Sequence, residues 1–223
     1  MRLRKIAGAD EAAAGHSRVW PAQEAAVRLA EFAGGRKIYL EIGMGKGDFL
    51  LGMAAKYRES FFLGMEKYSS VLIKALAKYD KLEPKPDNIG FLWEDAREMD
   101  TFFRPASLDG IYLNFSDPWP KERYAKRRLT APGFLKLYAG LLKPGSTVEF
   151  KTDNEALFHF SIDSFGQDSN WEIEKVYWDL HREVPPIENV MTEYEKKFSE
   201  KGQPIYKLTA RLKVPVKAMT MLN

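Results

Sequence analysis

The sequence has no cysteine. That excludes disulfides, thiolate metal sites and a cysteine nucleophile. Histidine is scarce too: His16, His159 and His181 stand alone, without metal-ligand spacing, and no Ser/His/Asp set stands out. No run is long and apolar enough to span a bilayer, and no adequate apolar core follows the basic start Met1-Arg2-Leu3-Arg4-Lys5 to make a signal peptide. Internal repeats, low-complexity tracts and an interdomain linker are also lacking. The expectation is a soluble cytoplasmic protein with no membrane and no metal among its partners, working as a monomer or a homodimer.

What is present suits an ordinary folded domain. The 223 residues are 45% hydrophobic and 13% aromatic, enough to bury a sizeable core. The formal charge is only +3, but the basic residues cluster, and a local basic field steers a polyanion even on a nearly neutral chain. Residues 1–36 read as an N-terminal arm with one short helix, Ala22 to Phe32, and no clear strand. From Lys37 strands and helices alternate. Strands are expected at Ile38–Ile42, Phe61–Met65, Asn88–Trp93, Leu108–Leu113 and Thr147–Phe150. Helices are expected at Phe49–Tyr57, Val71–Leu82, Pro132–Leu142 and Glu155–Phe165, the third opened by proline at its first turn and closed by Lys143-Pro144-Gly145. Two longer strands, Trp171–Leu180 and Ile205–Leu212, follow, joined by a polar loop from Arg182 to Gln203 without a convincing helix. Short connections of this kind imply right-handed crossovers and a doubly wound, Rossmann-like α/β sheet, mostly parallel, whose edge finishes in an antiparallel pair. The main domain is expected over 37–213, with a fraying tail over 214–223.

Three motifs should share the carboxyl edge of that sheet. The loop Glu41-Ile42-Gly43-Met44-Gly45-Lys46-Gly47 follows the first long strand, where open α/β sheets bind nucleotide-like ligands. Its Gly-x-Gly-x-Gly spacing is not the dinucleotide fingerprint, and Lys46 precedes Gly47, which excludes a P-loop. An acid just ahead of the glycines suits a cationic, phosphate-free cofactor such as S-adenosylmethionine. Glu66, about twenty residues on, stands where an acid accepts both ribose hydroxyls. Asp95, beyond the third strand, should lie near the adenine amine.

The second motif is Asn114-Phe115-Ser116-Asp117-Pro118-Trp119-Pro120. Two prolines stiffen it, and one acid beside one ring can grip a flat heterocycle. Its likeness to the Asp-Pro-Pro-aromatic signature of amino-group methyltransferases is imperfect, because Trp119 replaces the second proline. Directly after it, Lys121 to Arg128 carries five basic residues against one acid, a composition that binds phosphate backbones with steep salt dependence. The third comprises Lys151-Thr152-Asp153-Asn154 and, later, Thr192-Glu193-Tyr194-Glu195, polar clusters that can accept from a base edge.

Taken in order, these motifs, with Lys126-Arg127-Arg128-Leu129 and Phe198…Gly202-Gln203-Pro204-Ile205-Tyr206, resemble the bacterial tRNA (guanine-N7)-methyltransferases, the TrmB family. The resemblance implies a class I S-adenosylmethionine-dependent fold that methylates N7 of guanine 46 in the tRNA variable loop. It further implies that Glu41, Gly43, Gly45, Gly47, Glu66, Asp95 and Asp117 bind the cofactor, with Asp117 also the catalytic residue. Lys121, Asp153, Thr192, Glu193, Tyr194 and Glu195 match substrate positions. Arg123, Tyr124, Ala125, Lys126, Arg127 and Arg128 match an RNA-contacting segment. Of the family's basic arm, only Arg2, Arg4 and Lys5 have counterparts here. Guanine N7 carries a lone pair and no proton, so Asp117 is expected to orient the base while proximity drives the transfer. An amino-group methyltransferase and a non-catalytic RNA-binding module remain as rival readings.

Overall fold

A computed structural model gives the fold and describes residues 6–185 and 188–214. The basic residues Arg2, Arg4 and Lys5 and the tail from Pro215 lie outside the described residues. In chain order the elements are α1 (Ala9–Ala14), β1 (Val19–Trp20), α2 (Ala22–Ala33), β2 (Lys37–Ile42), α3 (Asp48–Lys56), β3 (Ser60–Met65), α4 (Ser69–Asp80), β4 (Ile89–Leu92), α5 (Met99–Phe102) and β5 (Leu108–Asn114). They continue with α6 (Pro132–Leu141), β6 (Leu142–Thr152), α7 (Glu155–Gln167), β7 (Trp171–Tyr177), α8 (Leu180–Glu183), α9 (Glu193–Ser199) and β8 (Tyr206–Leu212). Short 3-10 turns occupy Ala96–Glu98 and Glu122–Arg127.

The strands form one eight-stranded sheet in the order β1-β4-β3-β2-β5-β6-β8-β7. Pairing is parallel from β1 through β6, and β8 runs antiparallel to both β6 and β7. The doubly wound architecture and the antiparallel edge are as the strand–helix alternation predicts. The central strands read as apolar runs because both of their faces are covered: every residue of β3 is buried. Alternate side chains serve opposite faces. Leu40, Ile42, Phe61 and Leu63 join the larger core under α2, α5, α6 and α7. Phe62, Ile89 and Phe91 join the smaller one under α3 and α4.

Four expectations are corrected. A strand does precede Lys37: β1 pairs with β4, and its Trp20 is buried between Phe32 and Phe61, with ring centroids 5.4 and 5.8 Å away. Two residues are too few to show a period, so only the stacking and the pairing reveal this strand. Gly90 makes the room, since a Cβ there would come within 2.6 Å of the Trp20 ring. Second, Lys143-Pro144-Gly145 lies inside β6. The ladder with β5 jumps from Leu108↔Leu142 to Gly110↔Thr147, and the extra residues bulge out where Gly145 takes a φ of 83°. Third, β7 ends at Tyr177, because the Glu183 carboxylate accepts from the N–H groups of Trp178 and Asp179 and turns the chain into α8. Fourth, the following polar stretch contains a true helix, α9, opened by a reciprocal capping box between Thr192 and Glu195.

Replacing Trp20 with Ala is expected to destabilise the domain by about 3–5 kcal/mol, measured by urea unfolding. A loss below about 1 kcal/mol would mean that the β1 edge is peripheral to the core.

Candidate active site

The strand order reverses between β2 and β5, and a cavity of about 840 Å³ opens at the carboxyl ends of the strands there. Its wall includes Gly43 after β2, Glu66 after β3, Asp95 after β4, and Phe115, Ser116, Asp117 and Trp119 after β5. Lys126 and Arg127 close one side. Parallel pairing brings about this convergence: Ile42 lies opposite both Met65 and Leu113, so the loops leave the sheet at one level.

The glycine loop is shaped by backbone conformation. Gly43, Gly45 and Gly47 have φ of 71°, 60° and 78°, a region that side chains rarely tolerate. Nothing lies within 4 Å of where a Cβ would stand on Gly43 or Gly45, so a ligand can reach that backbone. Gly47 serves packing instead, because a Cβ there would stand 2.9 Å from that of Ala75 in α4. Glu66 braces the loop: its carboxylate accepts from Gly45 N–H at 3.2 Å and from Tyr68 N–H at 2.9 Å. Burial raises its pKa against those two bonds, and the nearby Asp117 charge raises it further.

Glu41 lies beneath the loop and is 1% exposed. One oxygen accepts from the Asn114 side chain at 2.9 Å, while the other is buried without a hydrogen-bond partner. Burial pushes this carboxyl up to about 8, against the Asn114 hydrogen bond and the Lys151 charge. Asp95 is the opposite case. Arg97 grips it through Nε at 3.0 Å and Nη2 at 2.7 Å, and Lys67 lies 3.0 Å away. The Arg97 hydrogen bonds hold its carboxyl well below the usual range.

The Asp117 loop is strained and braced. Phe115 and Trp119 take φ of 51° and 42°, left-handed values for bulky residues. Phe115 N–H donates to the Lys151 carbonyl at 2.8 Å. Arg128 donates to the carbonyls of Pro118 at 3.0 Å and Trp119 at 3.1 Å, and lies over the Phe160 ring. The basic segment therefore divides. Lys121, Arg123, Lys126 and Arg127 are exposed, while Arg128 is half-buried and supports the loop. The Arg127 guanidinium stacks 4.9 Å from Trp119 and 4.7 Å from Tyr124. Tyr124 and Ala125 are themselves partly covered.

The late motif comes to the same edge. Glu193 ion-pairs with Lys46 of the glycine loop at 2.7 Å, which lowers the Glu193 pKa. The Tyr194 ring lies 5.0 Å from Phe115 and its hydroxyl 3.4 Å from Asp153. Thr192 caps α9. Glu195, expected among residues facing a substrate, has a fully buried side chain. It pairs with Lys151 at 2.7 Å, and burial pushes that ammonium's pKa down against the pull of the carboxylate. The motif reading assigned no role to Lys46, Arg97, Asn114 or Lys151. Arg97 lies two residues past Asp95, close enough to be paired from sequence, whereas the partners of Lys46 and Lys151 are remote in the chain.

Comparison with known proteins agrees with this geometry. Residues 35–208 match the family model of a putative methyltransferase. The chain is 43% identical over 212 residues to a tRNA (guanine-N(7)-)-methyltransferase of Lachnoclostridium phytofermentans, covering 94% of this chain and 98% of that one. Among solved structures it is similar to an antibiotic-related methyltransferase, with a TM-score of 0.63 and 16% identity over 83% of this chain and 94% of that one. It is also similar to a mutant 16S rRNA (adenine(1408)-N(1))-methyltransferase with cosubstrate SAM from Catenulisporales acidiphilia. That TM-score is 0.57, with 12% identity over 85% and 92% of the two chains. At these identities the structural likeness is one of fold: the doubly wound class I methyltransferase sheet.

Glu41 yields a stability prediction. Its folded carboxyl stands at about 8 against an ordinary 4.5, so the folded state holds a proton that the unfolded chain releases. The contribution is fully present below 4.5 and is lost as pH rises through about 8, with a ceiling of roughly 5 kcal/mol. Glu41→Gln should therefore flatten the fall of Tm between about pH 5 and 8 and be the more stable form at the upper end. Parallel Tm–pH curves for the two proteins would refute this.

Proposed function

This chain belongs to the tRNA (guanine-N(7)-)-methyltransferase family, and we propose that it transfers a methyl group from S-adenosyl-L-methionine to N7 of guanine 46 in the tRNA variable loop. One observation supports this reading above the rest. The glycine loop and the Asp117 loop line a single cavity, with Arg127 on its wall and exposed cations beside it. A cofactor cradle thus stands next to a base-gripping loop and a phosphate-binding flank.

The residues fit the cofactor. The open backbone at Gly43 and Gly45 leaves room for close approach. Glu66 and Asp117 supply negative charge suited to a sulfonium and hostile to a pyrophosphate, while Glu41 beneath the loop keeps one buried oxygen without a partner. Glu41, Gly43, Gly45, Gly47, Glu66, Asp95 and Asp117 would hold it, Gly47 by keeping α3 and α4 close and Asp95 through the ion-paired rim. When bound, S-adenosylmethionine supplies the electrophilic methyl group.

Everything else falls to the chain. Guanine N7 has an in-plane lone pair and no proton to lose, so no general base is needed. Asp117 accepts from the guanine N1–H and N2 amine and turns N7 towards the methyl, a proximity effect. The strained backbone at Phe115 and Trp119, braced by Arg128, keeps that carboxylate from wandering. Lys121, Asp153, Thr192, Glu193 and Tyr194 border the substrate. Arg123, Lys126 and Arg127 engage the phosphate backbone, while Tyr124 and Ala125 form the turn that presents them. A tRNA substrate suits a reaction in the cytoplasm, and among the described residues no helix is long and apolar enough to cross a membrane.

Incubation with unmodified tRNA and labelled cofactor, followed by digestion and mapping, should place the label on N7 of guanine 46. A label on an exocyclic amine would overturn the assignment. Asp117→Asn is expected to lower kcat/KM by about 100-fold or more, and full activity would exclude the orienting role. Arg123→Ala with Lys126→Ala should weaken tRNA binding and reduce the slope of log K against log salt by about one per cation. Arg128→Ala should instead lower kcat with that slope nearly unchanged, because its nitrogens hold the loop.

A further inference from the structure

Glu195 falls within a motif matched to the substrate, yet its side chain is fully buried and cannot touch a nucleotide. What it touches is protein. One oxygen accepts from Lys151 Nζ at 2.7 Å, and the other from Asn189 Nδ2 at 2.6 Å, with His181 Nε2 3.2 Å away. Its own N–H donates to Thr192 Oγ1, closing the cap of α9.

Lys151 reaches further. Its ammonium also donates to the Val190 carbonyl at 3.0 Å and to Asn189 Oδ1 at 3.3 Å, so it holds the approach to α9 as well as its first turn. Its carbonyl accepts from Phe115 N–H at 2.8 Å, two residues before Asp117. One residue at the end of β6 therefore fixes the Asp117 loop through its backbone and α9 through its side chain. Between the two sits Tyr194, 44% exposed, with its ring 5.0 Å from Phe115 and its hydroxyl 3.4 Å from Asp153. A flat guanine held by Asp117 needs a ring against its face, and Tyr194, backed by Phe198 at 4.2 Å between ring centroids, is an exposed ring beside that loop.

We infer that Lys151 is a positioning residue: through its buried pairing with Glu195 it sets Tyr194 against the Asp117 loop, where the Tyr194 ring stacks on the target guanine. The inference rests on the guanine-N7 reading above and deepens it.

The test combines amide hydrogen exchange with kinetics on Lys151→Met, Glu195→Gln, Tyr194→Ala and Tyr194→Phe. Lys151→Met should raise exchange across residues 192–199 while the central strands stay protected. It should also lower kcat/KM for tRNA by about 30-fold or more, with S-adenosylmethionine affinity by calorimetry changed less than about threefold. Tyr194→Ala should show the same kinetic loss without the rise in exchange, and Tyr194→Phe should stay within about threefold of the parent. The double variant Lys151→Met/Glu195→Gln removes both charges, so it should fold even if the single change does not, and it should recover part of the loss. Unchanged exchange in 192–199, or a uniform loss of Tm and cofactor affinity without a selective loss on tRNA, would overturn the positioning role. An active Tyr194→Ala would overturn the stacking role. Should the parent enzyme place no methyl on tRNA while α9 still loosens in Lys151→Met, the guanine reading falls and the mechanical role of Lys151 stands.

Discussion

Strand β2 is hydrogen-bonded in parallel along both edges, to β3 on one side and β5 on the other. Parallel pairing in register means that neighbouring strands point the same way and finish at the same level. Ile42, Met65, Leu92, Leu113 and Phe150 lie in one row across the sheet, and the next residues along the chain are those that matter. The glycine loop, Glu66, the Asp95 turn, the Asp117 loop and Asp153 all leave the sheet from that row. Because the order reverses at β2, the helices diverge to opposite faces and a crevice opens between them. A slip of one residue in the β2–β5 pairing would turn Asn114 away from Glu41 and break the hydrogen bond between them.

Behind the crevice lies an unusual density of buried charge, and each group is accommodated differently. Glu41 has one hydrogen bond and a protonated tendency, Glu66 rests on backbone N–H groups, and Glu195 is fully paired. A buried ion pair such as Lys151–Glu195 adds little net stability over a well-packed apolar pair, but removing one member strands a charge at about 3–5 kcal/mol. What such a pair supplies is geometry. It ties a late helix to the end of a central strand. The cationic flank follows the same division: Arg127 and Arg128 are sequence neighbours, yet one is exposed and stacks on the rings of Trp119 and Tyr124, and the other supports two carbonyls of the loop.

Much of this was legible in the chain. Local signals sufficed for the central strands, the glycine loop, the proline-stiffened Asp117 loop and the alternation that demands a parallel sheet. The Thr192-Glu193-Tyr194-Glu195 segment carries the Thr-x-x-Glu signature of a helix start, so α9 could have been read from capping chemistry. The surrounding polar residues masked it. Strand β1 could not be read, since Val19 and Trp20 become a strand only when Phe32, Phe61 and Gly90 make a slot for the indole.

The sequence by itself determined which chemistry the edge could offer: glycines where backbone must be approached, acids after successive strands, and one dense run of cations. Those properties follow from residue type and spacing over short stretches, which is why they survive without coordinates. Only the tertiary structure decided which of these groups face the crevice and which hold it in place. Glu195 and Arg128 read as ligand contacts in the chain and prove to be supports, while Lys151 goes from an unassigned polar residue to the joint between two loops. Burial and pairing depend on residues far apart in the chain, and no local pattern encodes them.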